Sequence, residues 1–62
     1  MPNARITFSA GDKVQVTHRD DGTREFADRL ASSDTYVYVD KKDGGSIFVN
    51  GRTVAYVEDW PE

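Results

Sequence analysis

Two short segments near the start of the chain, residues 6–8 and 14–16, alternate between apolar and polar side chains. A period of two is typical of strands that bury one face. Residues 10–12 between them, Ala-Gly-Asp, favour a turn. A three-residue loop puts the apolar residues of both segments on one face, whereas a two-residue loop puts them on opposite faces. The shared apolar face therefore favours a hairpin with the three-residue loop.

Residues 23–31 change to helical spacing. Phe26 and Leu30 lie four positions apart, which gives the segment one narrow apolar face. Thr23 stands at its start, where a hydroxyl group can cap the free amides of a first turn. A helix this short is unstable alone, so we expect it to pack on a sheet.

The second half of the chain contains three apolar segments, residues 35–39, 47–49 and 53–57. Asn50-Gly51 separates the last two segments and predicts a type I′ turn, because Asn and Gly tolerate positive φ best. Residues 42–44, Lys-Asp-Gly, favour a three-residue loop between the first two segments, although an even-numbered loop would exchange the partners across this hairpin. Together these turns predict an antiparallel β-meander.

The fold class that follows is α+β: one domain over residues 1–62, with a small antiparallel sheet in the order β-β-α-β-β-β and one short helix packed on it. All three closing strands are apolar on both faces, and little chain is left to cover the second face. Either the five strands curl into a barrel-like sheet, or one face meets another molecule.

Aromatic side chains mark the face that is harder to cover. With the three-residue loop, Tyr36, Tyr38 and Phe48 share one face, opposite an aliphatic face. They are either ordinary half-buried strand residues or the centre of an interface, where aromatic residues are enriched. Trp60 continues the strand phase beyond residue 57 and either folds over the sheet edge as a lid or docks into a partner. Tyr36, Tyr38, Phe48 and Trp60 are therefore the predicted partner-binding residues.

Composition adds a reason to expect a partner. The chain has 62 residues, no Cys and a single His, which excludes disulfides and thiolate zinc sites. A domain of this size is marginally stable unless something outside its own core helps it, and self-association is the helper that remains.

The residues that could carry chemistry are few. His18 has no Cys nearby, and we interpret it as a solvated side chain in a polar segment. The Asp-rich stretches around residues 20 and 40 have turn chemistry and lack the spacing of a calcium loop. We therefore predict a non-enzymatic protein with no catalytic residue, no metal site and no cofactor, whose partner is another copy of itself or another protein.

Net charge and hydropathy narrow the partner classes. The net charge of −3 argues against a strong binder of duplex nucleic acid or anionic membranes. The alternative function is a single-stranded nucleic-acid module that stacks bases on the same aromatic residues beside Lys41, Lys42 and Arg52. We expect nucleic acid to be the poorer candidate because acidic residues flank this region. The sequence contains no apolar segment long enough for a signal peptide or a membrane span. We therefore expect the protein to be located in the cytoplasm.

The closing segments also resemble known sequences. Ile47-Phe48-Val49-Asn50 followed by Val54-Ala55-Tyr56-Val57-Glu58 looks like the end of certain short, uncharacterised bacterial and phage proteins. These similarly close with an apolar strand, a turn and a strand of the Ile/Val-Ala-Tyr-Val-Glu type. The resemblance covers about twelve residues and implies no activity or functional residue, but it agrees with an origin in a bacterium or a phage.

Overall fold

A computed structural model describes residues 2–60 and shows one helix and five antiparallel strands in a single sheet. The elements are β1 (Asn3–Phe8), β2 (Lys13–Thr17), α1 (Thr23–Ser32), β3 (Val37–Lys41), β4 (Ser46–Val49) and β5 (Val54–Asp59), with a 3-10 turn at Gly51–Thr53 before β5. The helix packs against one face of the sheet. The predicted small α+β class is therefore confirmed.

The β1–β2 hairpin has a three-residue loop, as predicted, but the loop comprises residues 9–11 instead of residues 10–12. Ile6 lies opposite Val14, so the apolar residues of both strands share a face. The amide of Phe8 donates to the carbonyl oxygen of Asp12 at 2.8 Å, which closes the loop. Gly11 completes it with a φ of 102°, a conformation that a side chain disfavours.

The β3–β4 hairpin also follows the favoured alignment. Tyr38 lies opposite Phe48, and the flanking pairs are aliphatic. Its loop spans residues 42–44 and ends on Gly44, whose φ is 105°. The three-residue loop therefore places Tyr38 and Phe48 on the face opposite Val37 and Val39, as predicted.

The predicted β4–β5 hairpin is wrong. The strand order is β4-β3-β2-β1-β5, so β5 lies at the far edge of the sheet and pairs with β1. Asn50 accepts a hydrogen bond from the amide of Arg52 through its side chain at 3.0 Å and begins the 3-10 turn, and Gly51 does not have positive φ. The outer edge of β1 offers β5 apolar partners: Ile6 lies opposite Val57. Local turn preference is overridden by this long-range pairing.

The meander therefore comprises β1 to β4, which are neighbours in chain order with α1 between β2 and β3. The sheet is open rather than closed into a barrel, because β4 and β5 are its two edges. The first hairpin forms the middle of the sheet and does not cover either face. Among residues 2–60, no helix or strand therefore covers the second face of the sheet.

The core lies between α1 and the covered face of the sheet. Phe26 and Leu30 are both fully buried, as their spacing predicts. They pack with apolar residues of all five strands: Ala4, Ile6, Val16, Val37, Val39 and Val49 are buried, and Phe8, Val14, Ile47, Val54 and Val57 are partly buried. Thr23 does not cap the helix, since Gly22 is the cap residue. The Thr23 hydroxyl instead donates to a carboxylate oxygen of Asp59 at 3.0 Å and links α1 to β5.

Candidate interaction face

The sheet face opposite α1, called the open face here, carries every second residue of each strand. Its middle is polar: Arg5 and Thr7 of β1 lie beside Gln15 and Lys13 of β2. The large aromatic side chains lie toward its two edges. Tyr36, Tyr38 and Phe48 stand at the β3–β4 edge and are called the aromatic corner below.

The aromatic corner is exposed. The exposed fractions of its three residues are 65% for Tyr36, 58% for Tyr38 and 68% for Phe48. With roughly 200 Å² for each large aromatic residue, they expose about 400 Å² in total, within the range of the largest apolar patch on a typical monomer. The chain's own helix and first hairpin do not enclose these rings.

Backbone pairing brings two of the rings together. The amide of Lys41 donates to the carbonyl oxygen of Gly45 at 3.0 Å, so the alternation of an antiparallel ladder makes Tyr38–Phe48 a non-hydrogen-bonded pair. Side chains approach most closely in such pairs. The ring centroids of Tyr38 and Phe48 are 5.4 Å apart with planes at 64°, an edge-to-face contact.

A short chain of polar groups borders the corner. The hydroxyl groups of Tyr38 and Ser46 are hydrogen-bonded at 2.7 Å, and the Ser46 hydroxyl donates to Asp40 at 3.1 Å. These bonds hold the Tyr38 ring in place on the strand surface. A pre-positioned aromatic side chain loses less conformational entropy when it is covered by a partner.

Trp60 lies apart from the aromatic corner. It follows β5, at the opposite edge of the sheet, and its amide donates to the carbonyl oxygen of Asn3 at 3.3 Å. The guanidinium carbon of Arg5 lies 3.9 Å from the centre of the Trp60 ring, and Arg5 also forms an ion pair with Glu58 at 2.8 Å. Trp60 thus packs onto the sheet as a lid, but over an arginine side chain. The structure does not join it to the other three predicted residues.

Sequence reasoning missed two residues. Tyr56 is 50% exposed and lies on the open face of β5, opposite Thr7. His18, interpreted as solvated, is buried: its ring stacks on Phe26 with centroids 4.6 Å apart and planes at 5°. The alternation along β2 could have indicated that His18 is buried, because Val14, Val16 and His18 are every second residue and point toward the covered face.

His18 takes part in a set of hydrogen bonds that holds the connection between β2 and α1 in place. Its Nδ1 accepts a hydrogen bond from the Asp20 amide at 3.2 Å, and the Asp20 carboxylate is held by both Nε and Nη2 of Arg29 at 3.0–3.3 Å. This set fastens the connection between β2 and α1 to the helix. Nε2 of His18 is buried and has no hydrogen-bond partner among the residues described.

No protein family, curated protein or solved structure matches this chain. Within residues 2–60, no group of three or more His, Cys, Asp or Glu residues is arranged to hold a metal ion. Helix α1 is too short and too polar to cross a membrane, and the described part of the chain contains no longer helix.

Proposed function

We propose that this protein is a small non-enzymatic interaction module that binds protein through the aromatic corner, either another copy of itself or a different protein. The observation that supports the proposal is the exposure of Tyr36, Tyr38 and Phe48 on a sheet face that α1 leaves uncovered. Aromatic side chains are enriched in interface cores and in the residues that dominate binding energy.

The charges around the corner favour protein over nucleic acid as the partner. Across the open face, Lys13 and Arg5 are offset by Asp40 and Glu58, and the Arg5 guanidinium is already paired with Glu58. A groove that follows a phosphate backbone needs an excess of cations. Single-stranded nucleic acid is therefore the second candidate and belongs in the test.

The first test is light scattering over a concentration series with two matched variants. Tyr38→Ser removes a ring from the aromatic corner, and Tyr56→Ser removes a comparably exposed ring from the opposite edge of the same face. We expect the wild type and Tyr56→Ser to associate, and Tyr38→Ser to stay monomeric with an unchanged helical circular dichroism signal.

Three results would contradict the proposal. Unfolding of Tyr38→Ser would show that this ring belongs to the core. Equal loss of association in both variants would show that association does not depend on the aromatic corner in particular. Steeply salt-dependent binding of a labelled single-stranded oligonucleotide, lost in Tyr38→Ser, would support the nucleic-acid function instead.

A further inference from the structure

The outer edge of β4 carries unpaired backbone groups. Because Lys41 and Gly45 form a hydrogen-bonded pair, the N–H and C=O groups of Ile47 and Val49 also point toward β3. Those of Ser46 and Phe48 consequently point away from β3. No strand within residues 2–60 lies on that side, since β4 ends the sheet.

The two sheet edges differ in how they are protected. Edge strands normally carry charges, prolines or bulges that prevent pairing with another chain. β5 contains Glu58 and Asp59, and its pairing with β1 shifts register between Thr7 and Phe8. β4 reads Ser-Ile-Phe-Val and has none of these features.

We propose that β4 pairs with β4 of a second copy, in antiparallel orientation about a two-fold axis, to form one continuous ten-stranded sheet. This inference rests on the proposed function and names its partner as the chain itself. Two identical uncharged strands place no like charges opposite each other, and a two-fold interface uses both free edges, so assembly stops at the dimer.

The alternation of inward- and outward-pointing backbone groups along β4 restricts the register, and the register determines where the aromatic rings of the two copies lie. Only Ser46 and Phe48 offer outward-pointing backbone groups, so these residues must face each other across the axis. Every such register keeps the aromatic corners of both copies on the same face of the joined sheet. We assign the register with Phe48 opposite Phe48, because it joins the two Tyr38–Phe48 pairs into one row of four rings.

The area available suits a weak dimer. Edge pairing covers the outer backbone of β4 and brings the two Phe48 rings together, whereas Tyr38 lies one strand further in and stays accessible on the open face. The buried area is therefore below the ~800 Å² that each partner contributes to an interface of standard size. Interfaces of this extent are typical of weak or transient association.

Amide hydrogen exchange measured by NMR tests the pairing directly. We expect the Phe48 amide, which lies opposite Phe48 of the second copy, to exchange fast in dilute samples and about tenfold or more slowly when the protein is concentrated. The Ile47 and Val49 amides serve as internal controls, because β3 already protects them at every concentration.

Chemical N-methylation of the Phe48 amide provides the matched variant. It removes the outward donor and blocks the edge while leaving all three rings and every β3–β4 bond in place. We expect this variant to fold as the wild type does and to remain monomeric.

The outcomes separate this inference from the proposed function. Association without added protection of the Phe48 amide, or association that survives the N-methylation, would overturn edge pairing while leaving the aromatic corner as the binding surface. A wild type that stays monomeric up to millimolar concentration would overturn self-pairing. With a wild type that associates, the Tyr38→Ser and Tyr56→Ser comparison decides whether the aromatic corner carries the association.

Discussion

Gly51→Ala is the sharpest probe of the crossing from β4 to β5. A Cβ atom added at Gly51 would overlap the carbonyl oxygen of Leu30 and lie 3.0 Å from its carbonyl carbon. Both atoms belong to the backbone of α1, so no side-chain rotation relieves the contact. Gly51 is therefore needed for close approach to the helix rather than for an unusual φ.

The expected effect is large for so small a domain. Forcing extra volume into a packed contact costs about 1–3 kcal/mol. The whole folding free energy of a 62-residue domain is about 3–9 kcal/mol at roughly 0.05–0.15 kcal/mol per residue. We expect the variant to lose a third or more of its stability, with a fall in Tm on the order of 10 °C.

Urea and thermal unfolding, followed by circular dichroism and by the fluorescence of Trp60, measure the loss. Gly22→Ala is the control, because its added Cβ meets only the end of the Glu25 side chain and should cost about 0.5–1 kcal/mol as a poorer helix cap. A Gly51→Ala variant within about 0.5 kcal/mol of the wild type would refute the placement of this turn against α1.

Three further experiments test side-chain contacts of the sheet and of the connection between β2 and α1. Asp20→Ala and Arg29→Ala in a double-mutant cycle should show a coupling of about 1 kcal/mol that weakens with salt; additive effects would contradict the ion pair. Arg5→Ala should shift the emission of Trp60 to longer wavelength, because the indole ring loses its covering guanidinium; an unchanged spectrum would contradict the contact. His18→Ala should cost about 3 kcal/mol in urea unfolding, since it empties a buried space beside the helix, whereas an exposed imidazole would cost almost nothing.

Local signals predicted most of the fold. Phe26 and Leu30 identified the helix and its buried face, and the loops ending near Gly11 and Gly44 set the registers of both hairpins. These features depend on residues close in sequence, where periodicity and turn chemistry act directly. The exposure of Tyr38 and its partners was one of the two alternatives that the sequence left open, because too little chain was left to cover a second apolar face.

The errors concern choices made over long distances. Asn50-Gly51 is compatible with a hairpin turn and with a 3-10 turn, and its own residues do not decide between them. The decision rests on which edge strand gains more by pairing with β5, and β1 offers Ile6 together with the Arg5–Glu58 ion pair. The position of Trp60 follows from that same choice, because the pairing of β5 with β1 places its ring over Arg5 and not beside the aromatic corner.

Pairing of β1 with β5 has a consequence for how the chain folds. Arg5 and Glu58 are 53 positions apart, and closing a loop of this length costs roughly 3–4 kcal/mol in chain entropy. A nascent chain can build the four-stranded part as it emerges, but it must wait for β5 before the first strand is flanked on both sides. A circular permutant that joins residues 3 and 60 through a short linker and opens at residues 33–35 makes this contact local and keeps the β3–β4 hairpin intact, so that only the short β2–β3 pairing becomes long-range. It should fold faster than the parent chain.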